Sequence, residues 1–448
     1  MIESKIIRIL VIGSIILSLT GALLMWQGSG ASVSLFSQKS EDKVKSSTFL
    51  GLMVELAGLK KEQTYLILFQ NNLEIRPGGG YLGNFGIVKV RNGNPHTFEI
   101  HDTNIFDGFG TVQTEPPTPM KIPLNISNWQ MRDSNWSPDF PTSAQKVEYF
   151  YHLQGGTEQF DGVVGINATI LPELLELTGD IYLKEFDKTF SAKDVLYDLE
   201  QEVEKKYIDR NLEEGDRKAI FKALVKETLS QVIKKNFWRQ SELKDFITNQ
   251  FNKKNIIIYL KDKNNQETVS KLGWDGSVDI DHNGDYLMIV EANLAGKKSN
   301  FFVKREVEYF VDFTKQKPVV KLRIKFTHQG KERDWFNADY NCYLRVYVPK
   351  GSWLTSAVGV RNKTVFLDEL NKTVFGNFIR VPVGRERIVE FSYLLPERLR
   401  SDVVYKMLIQ KQIGVDQMPV SLNITDIYGQ EHKMKKEIDR DWEISIGL

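Results

Sequence analysis

The sequence predicts an α/β domain followed by a β-sandwich, both carried outside the cell behind one N-terminal membrane helix. Three observations carry this reading. Strand-like and helical periodicities alternate over residues 62–300, as an α/β domain requires. From 301 to 448 β-prone runs with turn residues between them replace that alternation, which suits a sandwich. Residues 6–26 form a 21-residue apolar run with the single charge Arg8, and a spanning helix needs about 20 such residues.

The apolar run comes first in the chain. Trp26 stands where an interfacial aromatic belongs. Lys5, Arg8 and the amino terminus precede or open the run, and the next basic residue is Lys39. The positive-inside rule puts the N-terminus in the cytoplasm and the rest of the chain outside the membrane, as a single-pass protein. The run exceeds the about 7–15 apolar residues of a cleavable signal, so an uncleaved anchor over 1–30 is expected, although Gly28-Ser29-Gly30-Ala31 offers small residues for a peptidase. Residues 31–61 read as a polar spacer closed by a short helix.

The elements of the α/β domain follow in order. Residues 64–69 are a compact β-prone run, hence a buried strand. Residues 81–90 give a second strand, Asn92-Gly93 a hairpin turn, and 97–100 the return strand. Residues 107–141 are loop-like and hold Pro116, Pro117, Pro119, Pro123, Pro138 and Pro141. Ser143 caps a helix to Leu153, and 162–167 is a strand followed by a helix from Thr169 to Gly179. Ser191 and Asp194 begin a capping box for a helix to about Tyr207. From 217 to 235, Ile220, Phe221, Leu224, Val225, Leu229, Val232 and Ile233 share one helical face. Residues 256–260 resume strand character. In the sandwich, strands are expected over 301–312, 319–327, 342–348, 377–383 and 387–394.

Composition narrows the function. Hydrophobic residues make up 41% and charged residues 26% of 448, so the chain folds around a core. Lys plus Arg is 59 against 58 for Asp plus Glu, and nucleic-acid binders show a basic excess that is absent here. The single cysteine, Cys342, cannot form an internal disulfide or a CxxC site. No two of the six histidines sit at HExxH spacing, which removes that class of zinc hydrolase.

Two stretches concentrate chemistry. In the first, Arg76 precedes Pro77 and the glycines Gly78, Gly79 and Gly80. Glycines let backbone N–H groups approach a ligand and form an anion nest, and an arginine fork suits phosphate. The alternative is a tight turn with Arg76 paired to an acid. In the second, Arg132, Asp133, Asn135 and Trp136 lie in a loop with Trp129, residue types enriched in recognition sites. The alternative is a loop pinned by its tryptophans. Asp102 could hold a divalent cation or simply cap a helix. Arg217, beside Asp216, opens the amphipathic helix and offers an anion site in principle.

The words YLILFQNNLEIRPGGGYLGNFG, MRDSNWSPDFPTSAQ, FDGVVGINATILPELLELTG, DRKAIF, GDYLMIVEANLAGKKSNFF, YLRVYVPKGS and KTVFGNF occur in that order. Together they resemble a bacterial, typically membrane-anchored family, domain of unknown function 4012. That family carries no settled activity. The layout is more distantly similar to the LytR-CpsA-Psr phosphotransferases, which attach glycopolymers to the cell wall. This second resemblance implies a three-layer α/β fold, a polyprenyl pyrophosphate-linked glycan or cell-wall polymer as ligand, and Mg²⁺ as cofactor. It places Arg76, Asp102 and Arg217 as catalytic residues, with Asp102 at the metal. This chain departs from it at three places: His101 replaces an arginine, Pro77 to Gly80 replace an expected aspartate, and Lys218 replaces a glutamine.

Two functions follow. One is an envelope phosphotransferase or pyrophosphate-lipid binder, with Arg76 and Arg217 neutralising the phosphates, the amides of 78–80 completing the cradle and Asp102 holding a metal ion or taking a proton. The other is a non-catalytic surface scaffold, adhesion or glycan-binding module. An enzyme requires Arg76, Asp102, Arg132 and Arg217 to converge, whereas a scaffold lets each pair with its own acid.

Overall fold

A computed structural model describes residues 46–110, 112–210, 212–234, 241–400 and 404–447. The expected membrane helix over 6–26 lies outside the described residues. Among the described residues no helix is long and apolar enough to cross a membrane. The chain is mixed α/β with several sheets and a β-rich C-terminal region. It divides into two units. The first takes residues up to Gln70, Leu82–Val112 and Phe140–Gly276, and the second takes Asn71–Tyr81, Gln113–Asp139 and Ser277–Leu448.

The first unit is built on a five-stranded sheet. Its strands are β1 (Gln63–Arg76), β2 (Gly79–Arg91), β3 (Asn94–Asp102), β4 (Gly162–Asn167) and β7 (Ile256–Leu260), in the order β3-β2-β1-β4-β7. β5 (Ile181–Leu183) and β6 (Lys188–Phe190) form a small separate hairpin. β1 and β4 are parallel, with Tyr65 opposite Gly162 and Gln70 opposite Asn167. β2 and β3 join through Asn92 and Gly93, both at positive φ (52° and 75°), the backbone that an Asn-Gly hairpin turn supplies.

Helices cover both faces of this sheet. Tyr65, Ile67, Val164, Ile256 and Ile258 point to one face and meet Leu52, Met53, Ile247, Phe251 and Trp274 in one core. On the other face Gly165 lies against Phe140, the first residue of the helix Phe140–Leu153. The helix Ala219–Lys234 buries Ile220 and Leu224, two residues of the stripe read from the sequence.

The second unit is a sandwich of two six-stranded sheets. Its strands are β8 (Asp285–Asn293), β9 (Val303–Asp312), β10 (Val319–His328), β11 (Tyr340–Pro349), β12 (Trp353–Val358), β13 (Val365–Glu369), β14 (Lys372–Val381), β15 (Glu386–Leu394), β16 (Val404–Gln410), β17 (Met418–Thr425), β18 (Glu431–Ile438) and β19 (Trp442–Gly447). One sheet runs β12-β15-β10-β9-β17-β18 and the other β13-β14-β11-β8-β16-β19. β9 alternates buried and outward positions along its length, the period of two that a half-buried strand needs. Val307, Leu322, Leu344, Phe375, Phe391 and Leu422 fill the space between the sheets. Fully burying each such side chain contributes about 1.5–3 kcal/mol.

The division corrects the expected boundary at residue 300. β8 pairs antiparallel with β11 and parallel with β16, so it belongs to the sandwich. All nine of its residues are buried, and a strand buried on both faces reads the same in either kind of sheet. The segments 71–81 and 113–139 were also expected in the α/β domain. They belong to the second unit.

Candidate functional site

Arg76 ends β1 and is only 2% exposed. Its Nε donates to Asp133 Oδ1 at 2.9 Å, and its Nη1 donates to the carbonyl of Asn293 at 2.6 Å. Nη2 donates to Glu74 Oε1 at 3.3 Å, and the guanidinium lies 5.4 Å from the Tyr81 ring centre. Every nitrogen of the fork is therefore engaged inside the protein. Burial alone would lower this group's pKa, but the carboxylates of Asp133 and Glu74 more than offset it, so Arg76 stays charged.

The two stretches singled out in the sequence meet each other. Gly78 N donates to Asn135 O at 3.0 Å, and Asn135 Nδ2 donates to Gly80 O at 2.7 Å. A Cβ on Gly80 would stand 2.4 Å from the backbone of Asn71. Gly79 has φ 134°. These glycines permit a close backbone approach, and the expected anion nest over 78–80 gives way to a structural weld. Gly80→Ala is expected to cost about 1–3 kcal/mol through overpacking, read as a lowered unfolding midpoint.

The rest of the second stretch packs likewise. Trp129 Nε1 donates to Asp133 O at 2.9 Å. Trp136 stacks on Tyr343 with ring centres 6.0 Å apart. Arg345 lies over the Trp136 ring at 4.9 Å and donates to Trp136 O at 2.8 Å. Arg132 has its Nε 4.0 Å from Asp133 Oδ2 and is the more exposed partner. The tryptophans pin the loop to the sandwich strands, the alternative that the sequence had left open.

Asp102 and Arg217 lie in the first unit. Asp102 ends β3, and its Oδ1 accepts from Asn104 N at 2.8 Å as the cap of the helix Thr103–Asp107. Lys218 Nζ is 2.9 Å from the same oxygen and donates to Gly83 O at 2.6 Å. Both side chains are 8% exposed. Burial lowers the Lys218 pKa, with Asp102 only partly opposing it. Arg217 pairs instead with Glu204, Nη1 to Oε2 at 3.0 Å.

The residues do not fit a dedicated Mg²⁺ site. An octahedral cation wants several oxygens, but the carboxylate of Asp102 is neutralised by Lys218. Among the described residues no group of three or more His, Cys, Asp or Glu could hold a metal ion.

Sequence reasoning missed Lys218, Glu204, Glu74 and Asn293 as partners. Lys218 was visible only as a departure from the phosphotransferase pattern. Asn293 ends β8, and its side chain holds the turn that follows: Nδ2 donates to Lys297 O and Asn300 Oδ1, and Oδ1 accepts from Gly296 N.

With this geometry in place, part of the chain is found to be similar to known proteins. Residues 60–203 match the model of the family described as "Protein of unknown function (DUF4012)". That segment belongs to the family which the sequence words resemble. No curated protein matches the chain. Among solved structures, the chain is similar to the Lin1025 protein from Listeria innocua at 14% identity, covering 48% of this chain and 79% of that one, with a TM-score of 0.25. It is also similar to a protein from Legionella pneumophila subsp. pneumophila named as a candidate nutrient binding protein. That match has 7% identity, covers 31% of this chain and 54% of the other, and has a TM-score of 0.20.

Proposed function

We propose that the protein is a non-catalytic module of the bacterial cell envelope, held by its N-terminal helix and presenting a β-sandwich. One observation carries this reading. The three residues expected to be catalytic are each paired within the protein: Arg76 with Asp133 and Glu74, Asp102 with Lys218, and Arg217 with Glu204. An active site requires such groups to converge on one pocket, and here each is committed to a different partner. The buried Arg76 fork has no face to offer a phosphate. An acid at a strand end and a basic helix start, as in the LytR-CpsA-Psr phosphotransferases, support a shared fold from which the transfer chemistry is gone. The role that remains is scaffold, adhesion or glycan binding.

The test is a titration of the full-length protein in detergent with a polyprenyl pyrophosphate analogue, with and without Mg²⁺. The expected result is no saturable binding and no change on Arg217→Ala. Saturable, Mg²⁺-dependent binding that disappears in Arg217→Ala would restore the phosphotransferase reading.

A further inference from the structure

We propose that β13 is a self-association edge, pairing antiparallel with β13 of a second copy of this chain. An edge strand presents unpaired N–H and C=O groups, and proteins blunt such edges with lysines, bulges or prolines. Two edges of the sandwich, both in the sheet without β13, carry such devices. β18 ends its sheet and bears Lys433, Lys435 and Lys436. β12 ends the same sheet on the opposite side and is broken by a register shift between Leu354 and Ser356.

β13 ends the other sheet and pairs in register with β14 over all five residues, Val365 to Gly376 through Glu369 to Lys372. Its first three residues, Val365, Phe366 and Leu367, are 44%, 59% and 37% exposed. No charge or proline lies among these three; Asp368 and Glu369 follow at the end of the strand. Phe366 touches the core through an edge-to-face contact with Phe375 at 5.9 Å, so a partner strand would extend an existing apolar layer.

The occupant follows from self-complementarity. A two-fold centred on Phe366 sets Phe366 against itself and Val365 against Leu367. Continued past the start of β13, the same register sets Thr364 against Asp368 and Lys363 against Glu369. Apolar residues thus oppose apolar ones, and a cation opposes an anion, the pairs that stabilise antiparallel strands. Lys363 is exposed. Glu369 is held in place by Arg345 and by Tyr347, whose hydroxyl donates at 2.9 Å. A contact in which both copies use the same patch closes at two. It is a small interface, so association is weak and rises with concentration. It does not depend on whether the α/β unit binds any ligand.

The experiment is light scattering and sedimentation of the full-length protein in detergent over a concentration series, with Phe366→Lys and Phe366→Cys. The wild type is expected to pass from monomer to dimer, and Phe366→Lys to stay monomeric while still unfolding in one cooperative transition. Phe366→Cys is expected to give a covalent dimer with a short bis-maleimide, since the only native cysteine, Cys342, is buried. Thr355→Cys, on the bulged edge β12, is expected to give none. The cross-link decides the matter should Phe366→Lys fail to fold. A wild type that is monomeric at every concentration, or the same cross-linking from both positions, overturns the proposal.

Discussion

Arg76→Ala is expected to lower the unfolding midpoint of the protein by on the order of 10 °C, from a loss of about 3–5 kcal/mol. The arginine is 2% exposed and its partner Asp133 8%. Removing the cation leaves Asp133 buried without its partner, and a carboxylate so stranded is costly. Arg217→Ala should change stability by no more than about 1 kcal/mol, since its ion pair with Glu204 is partly solvated, with side chains 19% and 31% exposed. Arg76→Met combined with Asp133→Leu should recover much of the single-variant loss, because an apolar pair of similar volume often replaces a buried ion pair without penalty. Thermal unfolding followed by near-ultraviolet circular dichroism measures all three. Were Arg76→Ala to keep the wild-type midpoint, the weld between segments 71–81 and 113–139 would not be what the arginine is for.

Asp285→Asn is expected to stabilise the protein relative to wild type as pH rises, by about 2 kcal/mol more at pH 7.5 than at pH 4.5. Asp285 sits on β8 inside the sandwich, fully buried. Its Oδ2 accepts from Tyr309 at 2.5 Å and from Tyr405 at 2.6 Å, and its Oδ1 accepts from Tyr286 N at 2.8 Å. Burial raises its carboxyl from 3.8 to about 6, with the tyrosine hydroxyls holding the rise back. The sign follows from that order. Between about pH 4 and 6 the unfolded chain releases this proton while the folded chain keeps it. Stability therefore falls as pH rises through that window and is level above it. One pKa unit corresponds to about 1.4 kcal/mol, which sets the size. Asparagine carries no such proton, so the difference between variant and wild type isolates this residue from carboxylates of opposite trend, such as Asp339 and Asp426, whose pKa values are lowered. Denaturant unfolding at the two pH values measures it. A difference that is flat with pH would mean that Asp285 is ionised in the fold at pH 4.5.

Much of the secondary structure was legible because its signals are local. The strand at 162–167 was read to the residue. The Asn92-Gly93 turn has the backbone its residue types favour, and the helix begun near Thr169 runs Ile170–Thr178. Other elements carried weaker signals. The helix Ser241–Asn252 has few apolar positions, and β12 and β13 are edge strands whose side chains are mostly exposed. The helix expected from Ser191 to Tyr207 is broken by a π-helical turn over Glu202–Lys206, where Glu202 is held by Arg210 at 2.8 Å.

The candidate site was legible as residues and not as a site. Arg76, Gly78, Gly80, Asp133, Asn135 and Trp136 do come together, yet they do so as packing. An arginine, a glycine run and a tryptophan loop look the same in sequence whether they hold a ligand or each other.

The sequence by itself determined the periodicity of strands and helices, the turns, the β-rich C-terminal region and the family resemblance of residues 60–203. Each of these rests on neighbours within a few positions or on long contiguous words. Only the tertiary structure decided which acid each base meets and which unit owns the segments 71–81 and 113–139. The bonds concerned join Arg76 to residues 57 and 217 positions away. At such separations pairing depends on how strands and loops are brought together, and the local pattern of charge holds no record of it.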